Sequence, residues 1–72
     1  MIKVTYRDHT VELVSTQDPG TGKWNPRATV MFVGISGDIV RPLRSPGVSD
    51  TEAEANEVAL ARAKAWIDQG TL

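Results

Sequence analysis

The segment from Ser49 to Gly70 constrains this chain most, because it reads as one complete amphipathic helix with its own start and stop signals. Thr51 with Glu54, or Ser49 with Glu52, has the spacing of a capping box, in which the two side chains satisfy backbone N–H groups left over at a helix start. Gly70 supplies a residue that can turn left-handed at the far end. Between these ends the chain is rich in Ala and free of Gly and Pro, the composition of high helix propensity. At about 100° per residue, Ala55, Ala59, Ala63 and Trp66 form one stripe with Leu60 and Ile67 at its edge, while Glu57, Lys64 and Asp68 gather opposite. The small side chains of the stripe let a neighbouring layer approach closely.

The earlier part of the chain alternates with a period of two. Ile2, Val4 and Tyr6 share one parity, and Val11 and Leu13 stand against Thr10, Glu12 and Val14, the pattern of half-buried strands. Arg7-Asp8-His9 is either a tight turn between two short strands or a bulge in one long strand. Gln17 to Asn25, dense in Pro, Gly, Thr and Asn, reads as a surface loop. Arg27 to Ile35 reads as a central strand, apolar on both parities through Val30, Met31, Phe32 and Val33. Ser36-Gly37-Asp38 makes a hairpin turn, and Ile39 to Arg44 follows as an edge strand, because Pro42 cannot donate to a ladder on both sides.

The order is β-β-β-α, one α+β domain spanning residues 1–72: a three-stranded antiparallel meander with a single C-terminal helix across one face, and room for an extra short strand at the start. One helix covers one face. If Val30 and Phe32 face it with Val11, Leu13 and Ile39, then Met31 and Val33 emerge on the open side near Val14 and Val40; the reverse parity is equally open, and either choice leaves apolar side chains exposed. Val14, Met31, Val33 and Val40 are therefore the candidate protein-interface residues. An apolar patch of a few hundred Å2 is roughly the size that marks a contact surface.

Composition removes several classes of function. With 72 residues the chain is close to the lower limit for a core without staples, and it has no cysteine for disulfides or thiolate metal sites. A single His9 cannot build a zinc site, so neither metal nor cofactor is expected. The longest apolar run, Val30 to Ile35, is too short to cross a bilayer. A cytoplasmic location and no membrane partner are the expectation. The net charge of -1 conceals an asymmetry: residues 1–48 carry six basic and four acidic side chains, whereas Ser49 onward carries five acidic and two basic. Asp50, Glu52 and Glu54 suit the positive end of a helix dipole, and the sheet part is mildly cationic.

No catalytic signature survives inspection. Gly20-Thr21-Gly22-Lys23 looks like part of a phosphate loop, but Gln17 stands where the first Gly belongs, Trp24 follows the Lys, and a strand rather than a helix comes next. Gly34-Ile35-Ser36-Gly37 lacks the spacing of a nucleophile elbow, which makes Ser36 a turn residue. His9 has no acid at a triad-like spacing, and the helix carboxylates sit at the cap and on the solvated face. Trp24, a large aromatic in a polar loop, either folds back towards Trp66 or the sheet edge, or anchors a ligand beside Lys23 and Arg27.

Tyr6-Arg7-Asp8-His9, Gly22-Lys23-Trp24, the strand from Ala28 and Thr51-Glu52-Ala53-Glu54-Ala55 together resemble small stand-alone uncharacterised bacterial β-β-β-α proteins. The same order is loosely similar to AP2-type DNA-binding domains and to the amino-terminal domain of tyrosine integrases. Those families place a three-stranded sheet in the major groove, and the likeness implies DNA contacts from strand arginines and a Trp. Lys23, Trp24, Arg27, Arg41 and Arg44 are the residues that match in kind.

Two functional expectations follow. The first is a non-enzymatic interaction module that acts through its open sheet face or first-strand edge on a protein partner or on a second copy of itself as a homodimer. The second is a weak nucleic-acid binder using the basic sheet and loop residues.

Overall fold

The computed structural model describes residues 2–70. Its elements run β1 (Ile2–Tyr6), β2 (His9–Leu13), β3 (Thr16–Gln17), β4 (Trp24–Asn25), β5 (Arg27–Gly34), β6 (Gly37–Arg44) and α1 (Glu52–Asp68). The α+β class and the single C-terminal helix match the sequence reading. The main sheet has four strands in the order β1-β2-β5-β6, all antiparallel, so the meander is one strand longer than its three-stranded expectation.

The extra strand arises at Arg7-Asp8. Both residues have positive φ, 49° and 63°, and Tyr6 stands opposite His9. Two successive left-handed residues give the primed turn whose twist matches a hairpin, which resolves turn against bulge in favour of the turn.

Between β2 and β5 the chain makes an excursion through β3 and β4, which pair as a two-stranded ribbon. The stretch read as plain loop thus contains a small hairpin. Asp18 organises its tip: the Asp18 carboxylate accepts from Gly20 N–H at 2.8 Å, its carbonyl accepts from Gly22 N–H at 2.8 Å, and its own N–H donates to Lys23 O at 2.7 Å. Thr21 Oγ1 takes Lys23 N–H at 3.2 Å. These N–H groups close their own loop and are not free to cradle a phosphate.

The β5–β6 turn falls on Ile35-Ser36 rather than one residue later, because Gly34 pairs with Gly37 and Gly37 takes the left-handed φ of 125°. Pro42 does lie on an edge strand, as its missing N–H requires.

Thr51 is the helix cap. Its Oγ1 accepts Glu54 N–H at 3.2 Å and meets the Glu54 carboxylate at 3.1 Å. Ser49 is excluded from that role because its N–H and carbonyl both pair with Trp24, each at 2.8 Å. At the other end Gly70 turns left-handed with φ 63° and donates to Ile67 O at 3.1 Å.

Of the two parities open to the sequence, the structure takes the one that puts Val30 and Phe32 beneath the helix. Val11, Leu13, Ala28 and Val30 are buried beneath the helix, with Phe32 and Leu43 packed against them. From α1 come Ala55, Ala59, Ala63 and Ile67. Ile67, not Trp66, completes the buried row of fourth residues, and Trp66 is half-buried beside it. Val11 and Val30, directly paired, are the largest fully buried side chains. The core is thin because alanines on both layers bring helix and sheet together.

Candidate functional site

Strand alternation decides which side chains share the uncovered face. Lys3 and Thr5 of β1, Thr10 and Glu12 of β2, Arg27, Thr29, Met31 and Val33 of β5, and Asp38, Val40, Pro42 and Arg44 of β6 have the parity opposite to the buried set, with Asp38 directly across from Val33. Most of this face is polar. Lys3 and Glu12 form an ion pair at 3.6 Å near one edge, and Thr5 stands opposite Thr10.

The apolar part is confined to the end nearest the β5–β6 turn. Met31 stands directly opposite Val40, with Val33 two residues on along β5. Met31 is half-buried, whereas Val33 and Val40 are 80% and 59% exposed. Ile35 at the turn is fully exposed and extends the patch around the tip. Val14 is not part of it. Its N–H donates to Arg27 O at 3.0 Å, six strand positions from Val33, so the two are separated by about 20 Å.

The basic set is dispersed. Arg27 and Arg44 face one another across β5 and β6 on the open side. Arg41 has the opposite parity and lies on the helix side, opposite Val30. Lys23 is engaged by Asp50, whose carboxylate holds the ammonium and pushes its pKa above the usual lysine value, while Lys23 draws Asp50 below the usual carboxylate range. Trp24 is half-buried on β4 and paired through its backbone to Ser49, next to the helix start. Trp66 lies near the other end of α1, about 20 Å away along the axis, so folding back onto Trp66 is not what Trp24 does.

A second feature lies on the helix side of the same hairpin and was not anticipated. Phe32, Gly34, Ile39, Arg41 and Trp66 line an open groove of about 690 Å3 that reaches Val33, Ile35 and Ser36 at the turn. Phe32 and Trp66 approach at 6.0 Å between centroids with a 49° tilt, and His9 also packs against Phe32 at 4.8 Å. His9 Nδ1 donates to Arg7 O at 2.6 Å, which fixes its tautomer and makes it part of the turn. The only signal for the groove in the sequence was the apolar parity of Phe32 and Ile39; the juxtaposition with Trp66 needs the helix crossing.

Among the described residues no group of three or more His, Cys, Asp or Glu side chains is placed to hold a metal, and no helix is long and apolar enough to cross a membrane. Comparison with models of known protein families, with curated proteins and with solved structures returns no match to this chain.

Proposed function

We propose that this protein is a non-enzymatic protein-interaction module that works through the apolar hairpin end of its open sheet face. The observation that carries this reading is the exposure of Val33, Ile35 and Val40 together on one end of an antiparallel pair of strands. Clustered exposed aliphatic side chains gain roughly 25 cal/mol per Å2 when covered, and a partner supplies the cover. The first-strand edge is the weaker route, since β1 has only five residues and carries Lys3, a side chain that discourages edge pairing.

A second copy of the chain is the simplest partner, because opposed faces of two identical hairpins meet as a self-complementary contact. Light scattering over a concentration series tests it. The expected result is a mass that rises with concentration for the natural chain and stays at one protomer for a Val33→Thr/Val40→Thr variant. Both substitutions keep a β-branched residue on an exposed strand position and leave the fold in place. A single-protomer mass for both chains at all concentrations would remove self-pairing.

Nucleic-acid binding is the second reading, and Arg27 opposite Arg44 is what favours it. Two like charges facing each other across a strand pair repel, and a phosphate between them relieves the repulsion. Affinity for single- or double-stranded DNA at low salt, falling steeply as salt rises and lost in Arg27→Ala/Arg44→Ala, is its signature.

A further inference from the structure

The groove on the helix side of the β5–β6 hairpin has a composition that selects its occupant. Its floor is aromatic, Phe32 and Trp66, and its walls are aliphatic, Ile39 and Ile35. Gly34 lets the Ile39 wall lie directly against the β5 backbone, because a Cβ at that position would run into the Ile39 side chain. The single charged group lining it is the guanidinium of Arg41, which has no carboxylate partner among the described residues.

An apolar trough with one unpaired cation matches a ligand that has a greasy group and one negative charge. The groove is open along its side and continues onto the fully exposed Ile35, so it suits a chain lying across it better than a small molecule enclosed on most sides. A polyphosphate backbone is disfavoured, because binding of nucleic acid grows with the number of phosphates neutralised and one guanidinium neutralises one.

We propose that this groove docks an acidic, apolar peptide segment of a partner protein, with a bulky aliphatic side chain on Phe32 and Trp66 and a carboxylate on the Arg41 guanidinium. The contact is a charge-assisted hydrogen bond beside buried hydrocarbon, a pairing that gives both orientation and affinity. Phe32, Ile39, Arg41 and Trp66 lie on the face opposite the Met31–Val40 pair, and the groove shares only Val33 and Ile35 at the tip with the self-pairing patch, so it goes beyond the self-pairing described above.

The test is a heteronuclear NMR titration of the full chain with a short capped peptide alternating Leu and Glu. The expected result is saturable shifts confined to the amides of β5 and β6 around the turn and to the Trp66 indole. The same peptide with Gln in place of Glu binds about tenfold more weakly, as does the Leu/Glu peptide with Arg41→Gln, and combining the two changes adds little further loss. The Leu/Gln comparison uses the unaltered protein, so it decides the matter even if the substitution disturbs β6. Shifts that fail to saturate, equal affinity for the Glu and Gln peptides, or tighter binding at the groove of a short oligothymidylate would each overturn the proposal.

Discussion

Tyr6 donates its phenol O–H to both carboxylate oxygens of Asp68, at 2.9 and 3.0 Å, and so ties the first hairpin to the last turn of the helix across 62 residues of sequence. Arg7 Nη1 reaches the same carboxylate at 3.4 Å, and Lys64 lies 5.3 Å from the centre of the Tyr6 ring. Asp68 stands at a helix C-terminus, where a negative charge is unfavourable, and no basic side chain occupies that turn. The hairpin supplies the donor and the cation that the helix lacks.

This latch is sensitive to alkali. Donating to Asp68 raises the Tyr6 pKa above its ordinary 10.0, with burial and the negative charge of Asp68 adding to the shift. A raised folded value means the stabilisation is complete below pH 10.0 and disappears as pH climbs through the elevated value. Tyr6 is the single tyrosine, so phenolate absorbance reports it alone. Titration of the folded chain is expected to give a later transition than the urea-unfolded chain, and Asp68→Asn to bring the two together.

Lys23 and Asp50 give the complementary acid dependence. Asp50 is drawn below its ordinary 3.8 chiefly by the hydrogen bond from Lys23, so the pair contributes above that pH and fades as acid protonates the carboxylate. At the other limit, the raised Lys23 value preserves the pair to beyond pH 10.5. Melting temperatures of Asp50→Asn and the natural chain should therefore converge in acid and separate at neutral pH, the separation shrinking in high salt because both groups are exposed.

Asp8 adopts φ 63° without being glycine. Left-handed backbone costs a non-glycine residue roughly 1 kcal/mol. Asp8→Gly is expected to raise stability by about that amount in urea denaturation, with no change in the m-value. A destabilised variant would show that the Asp8 side chain holds the turn.

Trp66→Ala is expected to cost roughly 2 kcal/mol, since the side chain is half-buried and full burial of a large aromatic corresponds to about 3–5. Ala59→Leu should cost about 1–3 kcal/mol although it adds hydrocarbon, because Ala59 is almost fully buried where helix and sheet meet. Chemical denaturation of both variants checks the ranking. If Ala59→Leu proved neutral, the thin interface between the layers would have to be adaptable.

Local chemistry was legible where a residue type has few conformational choices. Thr51 with Glu54, Gly70, Pro42 and the alternation of Val11, Leu13, Val30 and Phe32 each specify a cap, a stop, an edge or a face through interactions within a few residues. Arg7-Asp8 was ambiguous because Asp tolerates positive φ whereas Arg does not favour it, and only the pairing of Tyr6 with His9 on either side selects the turn. The β3–β4 ribbon was hidden for a similar reason: two-residue strands carry no periodicity, and this one is held by the Trp24–Ser49 bridge to the segment that precedes the helix.

Taken by itself, the sequence determined one helix, its ends and an antiparallel order of alternating strands, all consequences of backbone propensity and hydrophobic period, while which parity faces the helix was left to the tertiary structure. Tertiary structure alone decided that Val14 stands apart from Val33, that Arg41 faces away from Arg27 and Arg44, and that Trp66 meets Phe32 rather than Trp24. Those relations depend on strand register and on where one helix crosses four strands, distances set by packing between segments that no local pattern records.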